Sequence, residues 1–169
     1  YKLGVSQTDG KVMTGLQDNG TKYKNNANSW SDEIGGDGME CAIKPNGSST
    51  MYGSLYFGDF ERTTDSGSNW TNISNNITGG ADGNWVTPFV IDPNSPNTIF
   101  VGFSQVFKST DQGNNWTSIG NFSGGSNLNY LAIAPSNSSY IYAGVDNALW
   151  RTTNGGSNWT AMTVPTNSV

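Results

Sequence analysis

The chain has 169 residues, enough for one domain with a real core, of which 34% are hydrophobic, 12% aromatic and only 12% charged. A net charge of −5 with no basic stripe argues against nucleic acid or an anionic membrane surface as a partner. There is no histidine, which removes an imidazole base, a Ser-His-Asp triad and histidine-based zinc sites, and the single cysteine, Cys41, cannot form an internal disulfide.

Taken in chain order, the sequence reads as short strands separated by Gly, Asn, Asp and Pro turns. The first unit, about 1–35, has strands near 2–7, 11–17, 21–24 and 29–34. The second, about 36–76, has them near 39–44, 50–56, 59–64 and 69–74. The third, about 84–120, has them near 86–92, 98–103, 105–110 and 115–119. The fourth, about 127–164, has them near 129–134, 140–145, 148–153 and 158–163. No window carries a helical stripe, so the whole of 1–169 is expected to be all-β. Cys41 lies in the run Met39–Ile43 and reads as a buried strand thiol.

The units repeat. Arg62-Thr-Thr-Asp-Ser-Gly-Ser-Asn-Trp-Thr71 aligns without gaps on Lys108-Ser-Thr-Asp-Gln-Gly-Asn-Asn-Trp-Thr117 and on Arg151-Thr-Thr-Asn-Gly-Gly-Ser-Asn-Trp-Thr160. Upstream of these, Met51–Leu55, Ile99–Phe103 and Ile141–Val145 are equivalent β-rich runs, and each follows an apolar strand closed by a Pro turn. The tryptophans at 70, 116 and 159 set a period of about 45 residues, which is that of four-stranded β-propeller blades. The first unit is degenerate: Asn25–Trp30 keeps the tryptophan and lacks the Asp-x-Gly core. Repeat units need neighbours to cover their faces, so these four blades are expected to belong to a larger propeller or to self-associate, with Val164–Val169 as the start of a connection onward.

The pattern Ser/Thr-x-Asp-x-Gly-x-x-Trp resembles the Asp-box of BNR-repeat propellers: sialidases, sortilin-type receptors and xyloglucanase-type glycoside hydrolases. The resemblance implies a structural turn between the third and fourth strands of each blade. Its residues are Thr63, Asp65, Gly67 and Trp70, then Ser109, Asp111, Gly113 and Trp116, then Thr152, Asn154, Gly156 and Trp159. The Asp accepts backbone N–H bonds as in an Asx-turn, the Gly takes a positive φ, and the Trp fills the blade edge. Asn154 can still make that turn, whereas a catalytic carboxylate would not tolerate the change. Nine Asn-x-Ser/Thr sequons occur, and those at Asn69, Asn115 and Asn158 are accounted for by the repeat.

Strand alternation puts the second-to-third and the blade-to-blade connections on one face of the propeller, and the Asp-boxes on the other. The first face is the expected ligand face. Its loops hold Gln17, Asp18, Asp37, Asp59, Asp82, Trp85 and Asp146 as candidate ligand contacts, with Trp85, Phe60, Phe122 and Tyr130 as candidate exposed aromatics, for each of which blade packing is the plainer role. Gln17-Asp18-Asn19-Gly20 with Gly35-Gly36-Asp37-Gly38 resembles large exported glycosyl-hydrolase-like BNR proteins. That resemblance would place Asp18, Asp37 and Glu40 near the channel mouth as candidate catalytic carboxylates; turn formation is the plainer reading of the same residues. No metal site is expected, calcium being a minor alternative. A sialidase clamps a carboxylate with three arginines, and the arginines here, Arg62 and Arg151, head Asp-boxes on the other face.

Low charge, richness in Asn, Ser, Thr and Gly, and the lack of any apolar run near the ~18 residues of a membrane span suggest an exported or cell-surface protein without membrane insertion. Tyr1 already lies in a strand pattern, so no signal peptide opens the numbering. Three functions follow: a binding or scaffold propeller recognising glycan or protein, a glycoside hydrolase or lyase, or a purely structural repeat.

Overall fold

The structure is a computed structural model that describes residues 2–25, 27–79, 82–120 and 125–164. Four antiparallel four-stranded sheets follow one another along the chain, each ordered as its strands occur. Blade 1 is β1 (Leu3–Val5), β2 (Val12–Leu16), β3 (Gly20–Lys24) and β4 (Trp30–Ile34). Blade 2 is β5 (Cys41–Ile43), β6 (Met51–Ser54), β7 (Phe60–Thr63) and β8 (Thr71–Asn72). Blade 3 is β9 (Phe89–Ile91), β10 (Ile99–Gly102), β11 (Val106–Ser109) and β12 (Thr117–Gly120), and blade 4 is β13 (Tyr130–Ile133), β14 (Ile141–Val145), β15 (Ala148–Thr152) and β16 (Thr160–Met162). Two single 3-10 turns, Tyr56–Gly58 and Ser74–Asn76, are the helical elements among the described residues. This is an all-β propeller architecture of four-stranded blades.

The repeated turn is built the same way in blades 2, 3 and 4. In blade 2 the Thr63 hydroxyl donates to Asp65 Oδ1 at 2.7 Å and accepts the Gly67 N–H at 3.0 Å, while Asp65 Oδ1 also accepts the Asn69 N–H at 2.9 Å. Ser109 and Asp111 repeat these bonds with Gly113 and Asn115. Thr152 and Asn154 repeat them with Gly156 and Asn158, so the amide oxygen does the work of the carboxylate. Gly67, Gly113 and Gly156 have φ of 93°, 94° and 99°, the left-handed region where a Cβ is disfavoured.

The tryptophan that closes each turn does more than fill the blade edge, because it joins its blade to the preceding one. Trp116 Nε1 donates to the Ile73 carbonyl at 3.0 Å, and Trp159 Nε1 donates to the Ile119 carbonyl at 2.7 Å. Trp70 Nε1 donates at 3.0 Å to a side chain instead, Glu33 Oε2, because blade 1 has Glu where the later blades have Ile. Arg62 reaches forward across the same joint, donating to the Gln112 carbonyl at 2.8 Å and to Asn114 Oδ1 at 3.0 Å.

The core lies between blades rather than within them. Met13 and Tyr23 of blade 1 pack on Cys41, Ile43 and Met51 of blade 2. Tyr52, Phe60 and Ile73 pack on Phe89, Ile99, Val101, Phe103 and Phe107 of blade 3. Phe100 and Val106 pack on Leu128, Ile141 and Ala143 of blade 4. Each such side chain is worth about 1.5–3 kcal/mol when fully buried. Large aromatics in these positions therefore allow a core from a chain of modest hydrophobic content. Cys41 belongs to it: the thiol is buried, donates to the Lys2 carbonyl at 3.0 Å, and is pushed up in pKa by desolvation.

Candidate functional site

The connections sort onto two faces. On one, the turn at Ser66 donates to the Ser49 carbonyl, and Gln112 and Gly155 donate likewise to Asn97 and Ser139, each at 3.0 Å. On the other, blade-to-blade connections bond to second-to-third-strand loops: Gly83 N–H to the Phe57 carbonyl at 2.8 Å, and Leu128 N–H to the Phe103 carbonyl at 2.9 Å. The second of these faces carries the candidate ligand residues.

Three aromatic side chains stand together there. The rings of Tyr56 and Trp85 stack with centroids 5.2 Å apart and planes 7° from parallel. Phe57 meets both edge-on, at 5.5 Å from each. All three are exposed, at 42%, 46% and 41%. They come from two segments: Tyr56 and Phe57 from the 3-10 turn after β6, Trp85 from the connection leading to β9. Phe57 has φ 59°, a conformation that costs a bulky residue on the order of 1–3 kcal/mol. Gly58 follows it at φ 84°, where a Cβ would stand 2.5 Å from the Phe103 ring. The turn is thus held in a strained shape that presents two aromatic rings outward.

Grooves flank this crest. One, of about 640 Å³, runs between blades 1 and 2 past Asp18, Asp37, Glu33 and Tyr56, with the Lys22–Asp32 ion pair at 2.5 Å on its wall. A second, of about 510 Å³, lies between blades 2 and 3 and is lined by Phe57, Asp59, Asn72, Ser74 and Asp82. A third, of about 380 Å³, has Trp85, Asn84, Asn129 and Tyr130 on its walls.

The sequence-predicted residues divide among these places. In the first groove the Asp18 N–H donates to Asp37 Oδ1 at 2.5 Å, with Asp18 itself at φ 60°. Asp37 thereby pins the blade 1 loop, in which Gln17 is exposed and its carbonyl accepts from Asn19 Nδ2 at 3.1 Å. In the second, Asp59 Oδ1 accepts from Asn72 Nδ2 and from the Ser74 hydroxyl. The same Asn72 amide donates to Glu61 at 3.4 Å, and burial, with Asp59 nearby, raises the Glu61 carboxyl. The Asp82 side chain is exposed, and its carbonyl accepts from Asn127. Asp146 lies apart on blade 4, bonded to Asn129.

Glu40 lies elsewhere, facing an axial pocket of about 370 Å³ lined also by Lys2, Phe89, Tyr130, Leu131 and Tyr142. It is 8% exposed and pairs with Lys2 Nζ at 3.4 Å. Burial raises its pKa, opposed by Lys2. Glu40 thus lines a different pocket from Asp18 and Asp37.

Of the candidate aromatics, Trp85 and Tyr130 are exposed, whereas Phe60 is 1% exposed. Phe60 is therefore not an exposed aromatic: it takes the packing role, in the core between blades 2 and 3 against Phe89. Phe122 lies outside the described residues. Sequence reasoning missed Tyr56 and Phe57, whose signal was present as two consecutive large aromatics before a glycine in a loop. Among the described residues no group of three or more His, Cys, Asp or Glu side chains could hold a metal ion. No described helix is long and apolar enough to cross a membrane.

No protein-family model matches the chain, and no curated protein does. Solved structures do match in fold. An ancestral GH74 enzyme superposes with a TM-score of 0.78 at 17% identity, over 99% of this chain and 24% of that one. The GH74 xyloglucanase from Xanthomonas campestris gives 0.70 at 12% identity, over 94% and 29%. The extracellular domain of a protein from B. thetaiotaomicron assigned to a one-component system gives 0.72 at 14% identity, over 96% and 22%. The chain spans less than a third of the length of each. At these identities the likeness is one of propeller fold, shared with glycosidase domains.

Proposed function

We propose that the chain is a glycan-binding propeller segment of an exported or cell-surface protein, with the crest of Tyr56, Phe57 and Trp85 as its sugar platform. The observation that carries this reading is the stacked, exposed aromatic cluster on the loop face. Leaving three large aromatics in water forgoes their burial, and such patches mark binding surfaces. An aromatic face packs on the apolar C–H face of a pyranose, and the surrounding Asn, Ser and Asp side chains supply acceptors and donors for its hydroxyls. Candidate polar contacts are Gln17, Asp18, Asp37, Asp59, Asp82 and Asp146. The repeated turn, read as the Asp-box of BNR propellers, is the scaffold on the opposite face.

The test is affinity electrophoresis and calorimetry of the chain against soluble polysaccharides, with Trp85→Ala in parallel. Retardation by a glycan that Trp85→Ala relieves supports the reading. Failure of every glycan to bind, or binding that the variant leaves unchanged, would sink it and favour a purely structural role.

One observation favours a second reading, glycoside hydrolysis. Glu40 is buried with a raised pKa, as a general acid requires, and the fold is one that glycosidases use. Release of reducing ends that Glu40→Gln abolishes would establish it. Asp18→Asn and Asp37→Asn, made alongside, test the two carboxylates that the sequence singled out.

A further inference from the structure

The grooves beside the crest of Tyr56, Phe57 and Trp85 carry one sign of charge. The groove between blades 1 and 2 has Tyr56 on its wall and the carboxylates of Asp18, Asp32, Glu33 and Asp37 around it. The groove between blades 2 and 3 has Phe57 on its wall, with Asp59 and Asp82. The third, beside Trp85, is lined by neutral residues. Among the described residues Lys22 is the one basic side chain lining any of the three, and Asp32 holds it at 2.5 Å. That pairing leaves Asp18, Glu33 and Asp37 in the first groove, and Asp59 and Asp82 in the second, with no cation beside them on the groove walls.

The other cations serve other places. Arg62 bonds into the following turn, and Lys108 lies over the Phe100 ring at 5.7 Å. Lys11 pairs with Asp9 at 3.2 Å, and Lys2 with Glu40 in the axial pocket. The groove acids, by contrast, keep open acceptor positions. Asp18 and Asp82 are exposed, and no hydrogen bond from a described residue reaches their carboxylates. Asp37 accepts the Asp18 N–H at Oδ1 alone.

We propose that the glycan taken by this crest is cationic, a polymer of 2-amino-2-deoxy sugars with free amines, such as a glucosamine oligosaccharide. This rests on the glycan reading of the crest, and charge complementarity selects the occupant. A pyranose with equatorial substituents lays its C–H face on an aromatic ring and holds its amine at the ring's rim. Stacking on the crest therefore directs ammonium groups sideways, toward Asp18 and Asp37 on one side and Asp59 and Asp82 on the other, as charge-assisted hydrogen-bond donors. Grooves lined by one sign of charge concentrate ligands of the opposite sign, and an ammonium is drawn to the faces of Trp and Tyr as well. A uronate or sialate meets the same carboxylates as repulsion, with no arginine on these walls to receive it.

Calorimetric titration in mildly acid solution, where the sugar amines are charged, tests it with oligomers of equal length. Glucosamine oligomers should bind about tenfold tighter, or more, than their N-acetylated counterparts. The gap should close as salt is raised, and galacturonate oligomers should not bind. Trp85→Ala should weaken both amino-sugar oligomers. Asp37→Asn combined with Asp82→Asn should narrow the gap between them, since Asn keeps the oxygen that accepts the Asp18 N–H and removes the charge. N-acetylated oligomers that bind as tightly as glucosamine oligomers overturn the proposal and leave the sugar platform standing. So does a neutral or acidic polysaccharide that binds through Trp85 while glucosamine oligomers do not. Glucosamine binding that Trp85→Ala leaves unchanged and polylysine displaces is a general attraction of polycations, and it too overturns the proposal. So does a gap that the double variant leaves intact. Failure of every glycan to bind takes down the platform as well. Far-ultraviolet circular dichroism confirms the fold of each variant, and if the double variant is unfolded, Asp82→Asn alone takes its place.

Discussion

The Tyr56 and Trp85 rings stack at 5.2 Å although 29 positions separate them in the chain (85 − 56), and the stack is left open to solvent. Such a pair is worth about 0.5–1.5 kcal/mol beyond its area. That is a small return for two half-open rings, and under the proposed function they serve a ligand. Trp85→Ala should therefore weaken glycan binding at least tenfold, roughly 1.4 kcal/mol, while moving the denaturation midpoint little. Calorimetric titration beside chemical denaturation checks both halves. A large stability loss with unchanged affinity would make the stack structural.

Phe57 gives a sharper separation of binding from folding. Its φ of 59° is strained for a bulky side chain, and glycine adopts it freely. Phe57→Gly should hold or raise the melting temperature and still weaken binding, because it removes the ring that abuts both others. Loss of stability of more than about 1 kcal/mol would mean that the ring is part of the core.

The inter-blade tryptophans predict a graded series. Trp116→Phe and Trp159→Phe each remove one indole bond to a carbonyl, at a cost of about 0.5–1.5 kcal/mol. Trp70→Phe should cost more, because it strips a partner from the Glu33 carboxylate rather than from a neutral carbonyl. Trp30→Phe, at the same repeat position on an exposed face, should cost nothing measurable in monomer stability. Urea denaturation of the four variants gives the order.

Much of this was legible in the sequence, and the reason is periodicity. Three turns in register fixed where strands end, and alternation fixed which loops share a face. The candidate site was only partly legible. Asp18 and Asp37 read as a pair because Gly-flanked acids mark turns, and they do meet, but as a loop-pinning hydrogen bond. Glu40 is grouped with them by the resemblance to glycosyl-hydrolase-like BNR proteins, which says nothing of which way its side chain faces. It stands just before β5 and lines the pocket that Lys2, Phe89 and Tyr130 also line. Phe60 was legible as a strand residue but not as to which way it faces; as the first residue of β7 it points into the core. The aromatic crest was not legible, since it depends on two loops meeting and on a backbone strain that composition does not announce.

The repeated turn predicts an acid dependence. Asp65 is lowered to about 2 by the Asn69 side-chain amide, the Asn69 N–H and the Thr63 hydroxyl. Asp111 is lowered by the corresponding Asn115 bonds. A carboxyl whose folded pKa lies below its unfolded value, 3.8 here, stabilises the native state above that value. The contribution fades as pH falls from about 4 toward 2. Asp65→Asn should be well tolerated, because Asn154 already fills this place in blade 4, its Oδ1 accepting from the Thr152 hydroxyl and from the Asn158 N–H, each at 2.9 Å. It should also remove part of the acid sensitivity, whereas Asp65→Ala should destabilise at every pH. Melting temperatures of the three proteins between pH 2 and 7 decide it. An Asp65→Asn curve parallel to the wild type would show that this carboxylate does not carry the dependence.

Glu40 should behave in the opposite sense. Burial outweighs Lys2 and raises its folded pKa above the ordinary 4.5, so ionising it disfavours the native state. The native state is favoured below the unfolded value, and that advantage is lost as pH rises through the raised one. Glu40→Gln, which keeps the shape without the charge, should therefore stabilise the chain at neutral pH and make no difference under acid conditions. Lys2→Ala should do the reverse at neutral pH, because it leaves a buried carboxylate unpaired. Melting curves at pH 4 and pH 7 for both variants test the pair. A Glu40→Gln chain that melts lower at pH 7 would show that the ion pair, rather than the desolvation, dominates at the axis.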